Sequence, residues 1–415
     1  MKNQIYMGIL FLCCSFISFA QQTQRISLTE AIQVALQNNP TILTAQKEIV
    51  VADSRILQAG KISNPELSVG WNEVPSLFHT ANERDVSLSQ QLEFPGKRSG
   101  RINIAMSEKE IASLEIERRI IILTSRVKIA YFNVLFQQQL VENIQEQIQL
   151  LTDFQQTITA QYQSGKSNYL DVIRANVELT RIGNDFIEAK RELVIRQKEL
   201  ILFLGKESDV VIEPSDSLLY IPFSFTCETI FSQVMEKSFT AKLANTTITR
   251  QQNIVSLAQK NYYPDYEIGI SQQRRDGFGS FPKSYFGIEL KFSLPFWFWQ
   301  EPKGQEQEAI ALVDISTINA QSIQRRISAN ISKAYDAVVV SDSQVKVFQS
   351  SLRRDVNEIL RAGISQYGNN QLDVLNLLDI YRTYRAANVE YARALLNYNI
   401  ALAELESAGE LSINE

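Results

Sequence analysis

The chain has 415 residues, 45% hydrophobic and 21% charged, with a net charge of −5 and only 16 Gly and 10 Pro. This composition supports folded structure and excludes collagen-like and Pro/Gly-rich disordered classes, while the weak charge without like-charge runs argues against a nucleic-acid surface. A single histidine, His79, removes most hydrolase triads, histidine-based metal sites and imidazole acid–base chemistry, so composition points away from an enzyme.

Residues 1–20 read as a secretory signal, with Lys2 as its basic end, Ile9 to Phe19 as its apolar core and Ser18-Phe19-Ala20 as the cleavage site. The bulky Phe11 and Leu12 ahead of Cys13 and Cys14 argue against a lipoprotein signal. Beyond the signal only Cys227 remains, so no internal disulfide is expected. The apolar run falls short of the ~20 residues of a membrane helix, and no later stretch supplies ~18. An exported chain without a transmembrane helix is expected, and β-strands remain its route into an outer membrane.

Ser27-Leu28-Thr29-Glu30 is a capping box that opens a short helix ending near Asn38. Asn39 caps a second helix with Pro40 at its first position, running to about Ile62. From Pro65, Leu67, Val69 and Trp71 alternate with Ser68, Gly70 and Asn72. After a polar loop through His79, Val86, Leu88 and Leu92 oppose Ser87 and Ser89. The two stretches predict a β-hairpin at about 65–94. Period two over ~9–11 residues fits a membrane-spanning strand, and a soluble hairpin gives the same pattern. Lys97 to about Tyr162 holds no Pro and predicts a helix of roughly 100 Å at ~1.5 Å per residue.

The order then repeats. Leu170-Asp171-Val172 recurs 202 residues later as Leu372-Asp373-Val374, and at that offset Glu188 meets Glu390, Arg191 meets Arg393 and Leu200 meets Leu402. Upstream, Ala59 to Pro65 matches Ala258 to Pro264, and Phe94-Pro95 matches Leu294-Pro295. The expected organisation is a first repeat over 21–205, a linker over 206–225 with Pro214 and Pro222, and a second repeat over 226–415. The second hairpin falls at about 264–294, with Phe286, Ile288, Leu290 and Phe292 alternating with Gly287, Glu289 and Lys291. A second long helix is expected from Pro302 to about Tyr367. Apolar steps of three and four, such as Ile120, Leu123, Val127, Ala130 and Val134, predict left-handed coiling against partner helices.

Long helices alone favour a coiled-coil scaffold, and the strands change that balance. Two hairpins give four strands, which cannot close a barrel, and an open edge is not tolerated in lipid. Several chains must then share one barrel, and the helices would continue its wall. Trp71 and Phe296-Trp297-Phe298-Trp299 are candidates for the membrane–water boundary, where amphipathic rings concentrate. Lys97, Arg98 and Arg101 crowd a helix start against its dipole, so lipid phosphates or a neighbouring subunit's carboxylates are candidate partners.

These features resemble the TolC family of outer-membrane efflux proteins. The carriers are the duplicated helix–helix–hairpin–helix-pair order, Leu28-Thr29-Glu30-Ala31-Ile32, Asn38-Asn39-Pro40 and the two Leu-Asp-Val motifs. Phe94-Pro95-Gly96-Lys97-Arg98 with Leu294-Pro295-Phe296 is similar to the heavy-metal-efflux branch. The resemblance implies a mainly α fold with a membrane β-hairpin pair, a homotrimer with a twelve-stranded barrel in outer-membrane lipid, and a long α-barrel in the periplasm. It implies a periplasmic adaptor, an inner-membrane pump of the resistance–nodulation–division type, no cofactor and no catalysed chemistry. Adaptor docking would fall on the hairpin tips, Gln163, Ser164, Gly165 and Lys166 with Tyr367, Gly368 and Asn369. The family's gate carboxylates match Asp373, and a second family acid falls at Asn376. Asp171 and Asp373, each about one turn beyond a tip, are with Asn376 the candidates for the periplasmic aperture, where a three-fold axis would gather a carboxylate ring, and Asp171 is expected to serve mainly capping and dipole roles. An organic drug or toxin duct, or a secreted scaffold without membrane insertion, are the alternative functions.

Overall fold

The computed structural model describes residues 23–72, 83–207, 211–275, 281, 283–369 and 371–411. The expected signal at 1–20, His79 with its loop, the turn at 276–280 and Asn370 lie outside the described residues.

Strand β1 (Thr23–Ile26) leads into α1 (Leu28–Asn38) and α2 (Pro40–Ala59). The hydroxyl of Ser27 accepts from the Glu30 amide, and the Glu30 carboxylate accepts from the Ser27 amide at 2.8 Å, which satisfies two orphan donors of α1. Asn39 caps α2 through the Thr41 amide at 2.9 Å. Strands β2 (Glu66–Asn72) and β3 (Glu83–Leu92) precede α3 (Lys97–Gln163) and α4 (Tyr169–Leu204). After β4 (Val211–Pro214) the pattern returns as α5 (Cys227–Lys237), α6 (Phe239–Lys260), β5 (Asp265–Arg275) and β6 (Lys283–Ser293). It ends with α7 (Glu301–Val347), α8 (Arg353–Gly368) and α9 (Val374–Gly409). Thr226 and Ser238 cap α5 and α6, where Ser27 and Asn39 cap α1 and α2.

With 67 residues, α3 spans roughly 100 Å and sets the length of the molecule. The returning path is made of two shorter helices placed end to end. Gly205 ends α4 in the left-handed region at φ +65, and a Cβ there would lie 2.6 Å from the Asn38 carbonyl oxygen, so only glycine allows this approach. The Asn39 side-chain amide donates to the Phe203 carbonyl at 2.8 Å and fastens the junction. In the second half Glu410, itself left-handed at φ 50, performs the equivalent joint. Its carboxylate accepts from Ser238 Oγ at 2.8 Å and from the Thr240 amide at 3.0 Å, tying the end of α9 to the start of α6.

The second long helix departs from expectation. It is interrupted by a π-helical turn at Phe348–Leu352 between α7 and α8. One residue is inserted into the helical phase there, and Gln349 reaches the Tyr391 hydroxyl at 3.5 Å. The stretch at 206–225 is also more than a spacer. Its β4 pairs in parallel with β1, Asp216 accepts from the Leu28 amide and the Tyr131 hydroxyl, and Tyr220 donates to Asp342 at 2.7 Å.

Buried side chains form clusters along the length. One joins α1, α3, α4 and β4 through Ala31, Val127, Tyr131, Leu200 and Ile212. A second joins α3 and α4 to α8 and α9 through Phe154, Ile158, Ile182, Tyr367 and Leu377. Each fully buried Ile or Leu contributes about 1.5–3 kcal/mol. Gln137, which breaks the apolar heptads of α3, is buried and donates to the Ala189 carbonyl at 3.1 Å, so the interruption is a polar tie between α3 and α4.

Candidate functional site

The four long strands form one antiparallel sheet in the order β2-β3-β5-β6. The two hairpins are joined by the β3–β5 ladder, which leaves β2 and β6 as its edges. Register assigns the faces. Leu67 opposes Leu88, Leu88 opposes Ile270, and Ile270 opposes Ile288, so one face is a continuous apolar row across all four strands. The side chains of this face are exposed, Phe286 to 70% and Ile288 to 77%. A sheet in water buries its apolar face against another layer, and among the described residues no other element covers this one.

The opposite face is polar and cross-linked. Asn72 donates to Asp85 at 2.8 Å, Arg275 reaches Glu83 at 3.4 Å, and Lys291 lies 3.3 Å from both Glu267 and Glu289. Such a face suits water. The apolar face is bounded on one side by the row of Trp71, Arg84, Arg274 and Ser284, polar apart from Trp71, and on the other by the row of Leu92, Tyr266 and Phe292. Eight residue steps separate the rows on β3, roughly 27 Å along the strand. Strand tilt brings this near the ~25 Å apolar band of outer-membrane barrels. Trp71 stands at one boundary. Phe296, Trp297, Phe298 and Trp299, all more than half exposed, stand just beyond β6 at the other. Aromatic residues therefore bracket the apolar face at both ends.

The cationic junction after β3 is mostly paired within the chain, which corrects the expectation of external partners for all three residues. Lys97 is buried, 2.9 Å from Asp265, and also donates to the Tyr263 carbonyl at 3.1 Å. Arg101 binds both oxygens of Glu93 at 2.7 and 2.8 Å. Arg98 alone makes no ion pair among the described residues; its Nε donates to the Gly60 carbonyl at 2.6 Å. These bonds tie the first turn of α3 to the hairpins, because opposite charges from β3, β5 and α3 converge at the foot of the sheet.

At the far end of α3, Gln163, Ser164, Gly165 and Lys166 form an exposed turn. Gly165 at φ +73 lets the Lys166 amide reach the Gln161 carbonyl at 2.8 Å. Gly368 and Asn369 are exposed at the second tip. Tyr367 is different and does not offer a docking surface. Its ring is buried to 8% exposure and stands edge-on to Phe154 at 5.0 Å, and its hydroxyl donates to Gln161 at 2.9 Å. Burial, followed by the nearby Asp171 charge, raises its pKa, so it remains a neutral donor. Tyr367 links the two helical hairpins.

The aperture candidates divide in an unexpected way. Asn168, not Asp171, caps α4, accepting from the Leu170 amide at 3.2 Å. Asp171 lies in the first turn, consistent with a dipole role, and pairs with Arg174 at 3.2 Å. Asp373 is the cap of α9 and accepts from the Asn376 amide at 2.7 Å. Asp373 and Asn376 are both exposed.

A further set of residues joins the hairpins without any signal in the sequence. Arg382 on α9 makes a forked pair with Glu178 on α4 at 2.7 and 3.2 Å, and Arg385 reaches Asp185 at 2.5 Å. The Glu178 side chain is only 8% exposed. The Arg382 hydrogen bonds hold its carboxyl below the usual range, against the opposing effect of burial.

Known proteins share this architecture. Residues 31–206 match the outer membrane efflux protein family. The chain is 21% identical to the cobalt-zinc-cadmium resistance protein CzcC of Cupriavidus metallidurans over 370 residues, covering 89% of this chain and 86% of that protein. The outer membrane protein VceC of Vibrio cholerae superposes with a TM-score of 0.75 at 15% identity, over 93% of this chain and 97% of VceC. CusC superposes with a TM-score of 0.75 at 15% identity, over 95% and 96% of the two chains. The match through the first half and the fold shared along nearly the whole length agree with the duplicated order and the bracketed apolar sheet: residues 31–206 match the outer membrane efflux proteins, and the chain has the TolC-like fold.

Proposed function

We propose that three copies of this chain close a twelve-stranded barrel in the outer membrane and extend it into the periplasm as a helical tube, a passive conduit for efflux. One observation carries this reading, the four-stranded sheet with two edges, an exposed apolar face and a hydrogen-bonded polar face. Lipid does not tolerate open edges, so β2 of one copy pairs with β6 of the next. Eight strands leave an interior just filled by side chains, and twelve leave a lumen. Each repeat, 21–205 and 226–415, gives one hairpin to the barrel and one helical hairpin to the tube, with 206–225 joining them. A periplasmic adaptor meets the tips at Gln163, Ser164, Gly165, Lys166, Gly368 and Asn369. An inner-membrane pump of the resistance–nodulation–division type supplies the energy, and the tube catalyses nothing. The likeness to CzcC favours metal cations over organic compounds as cargo.

The test combines extraction, mass and tolerance. The chain is expected to need detergent, to run as a trimer, and to restore growth on cobalt, zinc or cadmium to a strain lacking its gene. A detergent-free monomer overturns the barrel, and restoration of dye tolerance alone replaces metal with organic cargo.

The aperture has its own test. Three copies of Asp373 around a three-fold axis form an acidic ring that favours cations. Asparagine caps helices as well as aspartate does, so Asp373→Asn removes charge and keeps the bond to the Asn376 amide. Cation selectivity in a planar bilayer is expected to fall, and block by multivalent cations from the periplasmic side to weaken. Asp171→Asn has a smaller effect, because Arg174 already neutralises that carboxylate. Unchanged selectivity and block in Asp373→Asn place the constriction elsewhere.

A further inference from the structure

A cavity of about 540 Å³ opens at the foot of the sheet, between the end of α2, the end of β3 and the first turn of α3. Its lining includes Leu92 and Tyr266, which belong to the last row of the apolar face, so the cavity continues that face toward the helices. Ile62 and Phe94 add apolar wall, and Phe94 is held by stacking on Tyr263 at 4.3 Å. The two cations of the lining are Lys61 and Arg98, both exposed.

The charge balance here is specific. Of the basic residues at the junction, Lys97 and Arg101 are consumed by Asp265 and Glu93. Glu93 is the acidic residue of the lining, and Arg101 occupies both of its oxygens. Lys61 and Arg98 make no ion pair among the described residues. The Arg98 bond from Nε to the Gly60 carbonyl steadies the guanidinium and leaves its two terminal nitrogens without a protein acceptor among the described residues. Two uncompensated cations thus stand over an apolar recess, level with the aromatic residues that mark the helix-side boundary of the apolar face.

We propose that this cavity is a binding site for a glycerophospholipid of the periplasmic leaflet. The headgroup phosphate lies between Lys61 and Arg98, with the planar guanidinium supplying paired donors. The acyl chains pass over Leu92 and Tyr266 onto the sheet. A soluble anion would use the two cations and leave the apolar wall idle; a bare acyl chain would do the reverse. Only an amphiphile uses both. The inference rests on the apolar face meeting lipid, and the lipid would act as a fixed wedge where barrel and tube meet.

The test is native mass spectrometry of the detergent-purified protein after incubation with phosphatidylglycerol, with phosphatidylethanolamine, with diacylglycerol and with inorganic phosphate. One retained phospholipid per chain is expected for both phosphate-bearing lipids, with no retention of diacylglycerol or phosphate alone. The double variant Lys61→Gln/Arg98→Gln should retain roughly 30-fold less phospholipid, in line with the loss of two basic contacts to a lipid headgroup. Lys109→Gln, a cation paired with Asp53 on the exposed helical surface, should retain it as the unaltered protein does. Equal retention of diacylglycerol, or no change in the double variant, overturns the site. A trimer that retains no phospholipid, whether because the neighbouring copy fills the recess or because it stays empty, overturns the site and leaves the trimer standing. A monomer that retains none overturns the membrane assembly as well.

Discussion

Ile288→Arg is expected to abolish or sharply reduce the detergent-stable trimer. Ile288 is the middle residue of the apolar row on β6, two positions from both Phe286 and Leu290, and is 77% exposed within one chain. An Arg at the bilayer midplane of an outer-membrane barrel costs ~2–4 kcal/mol. The proposed three-fold assembly would repeat that cost in each copy, roughly 6–12 kcal/mol per trimer, which is comparable to the stability of a whole domain. Glu289→Gln, one step along the strand and on the polar face, keeps the trimer, because its partner Lys291 retains Glu267 at 3.3 Å. Trimer yield on gels without heating, with both variants expressed equally, is the measurement. Equal loss or equal tolerance at the two positions means that the faces are not lipid and lumen. The sequence pattern alone marks Phe286 equally well; the register moves the midplane to Ile288, because Ser284 and Phe292 define the ends of the row.

What the sequence discloses here is whatever is local or periodic. Ser27, Asn39 and the Leu-Asp-Val motifs signal helix starts through bonds made within four residues, and strand alternation signals faces through a period of two. The duplication carries the long-range order, since both halves must fold alike. Failures occur where the determinant is non-local. The π-helical turn at Phe348–Leu352 has no Pro or Gly to mark it. Pairing of β1 with β4 joins segments 188 residues apart, each only 4 residues long. Lys97 and Arg101 read as unpaired in a linear sequence, and their acids arrive from β5 and from the end of β3. Asp171 and Asp373 stand in matching motifs, yet Asn168 takes the cap in one and Asp373 in the other, so repeat matching transferred position and not role. Tyr367 sits in a polar turn sequence, and only the packing of α8 on α3 reveals that it points inward onto Phe154.

Removing the links between the helical hairpins is expected to open the tube. Arg382 and Arg385 on α9 hold Glu178 and Asp185 on α4, and the two pairs lie between the tips and the middle of the helices. Arg382 is half exposed, so solvent screening limits each pair to about 0.5–1 kcal/mol. Symmetry multiplies that modest value. If the three copies open together, losing one pair per chain shifts the equilibrium by about 1.5–3 kcal/mol, and each 1.4 kcal/mol is tenfold in population. Arg382→Ala should therefore raise the open fraction in single-channel recordings by roughly 10- to 100-fold, and Arg382→Ala/Arg385→Ala by more. Removing the arginine also strands a Glu178 carboxylate that is nearly buried, which adds pressure to separate the helices. Acid should act through the same group. The folded pKa of Glu178 is lowered, so its contribution is fully present above the ordinary carboxylate value of about 4.3 and is lost as pH falls through the lowered value. Mild acidification to about pH 5 should leave the wild-type conductance unchanged, and opening should begin only below the ordinary carboxylate range. In the Arg382→Ala channel the hydrogen bonds that depress the pKa are gone while burial remains, so Glu178 should protonate at higher pH than in the wild type, and acid should there relieve the stranded charge and lower the open fraction. Recordings in which Arg382→Ala matches the wild type in open fraction and in acid response would show that α4 and α9 move as one body, with the gate carried by other contacts.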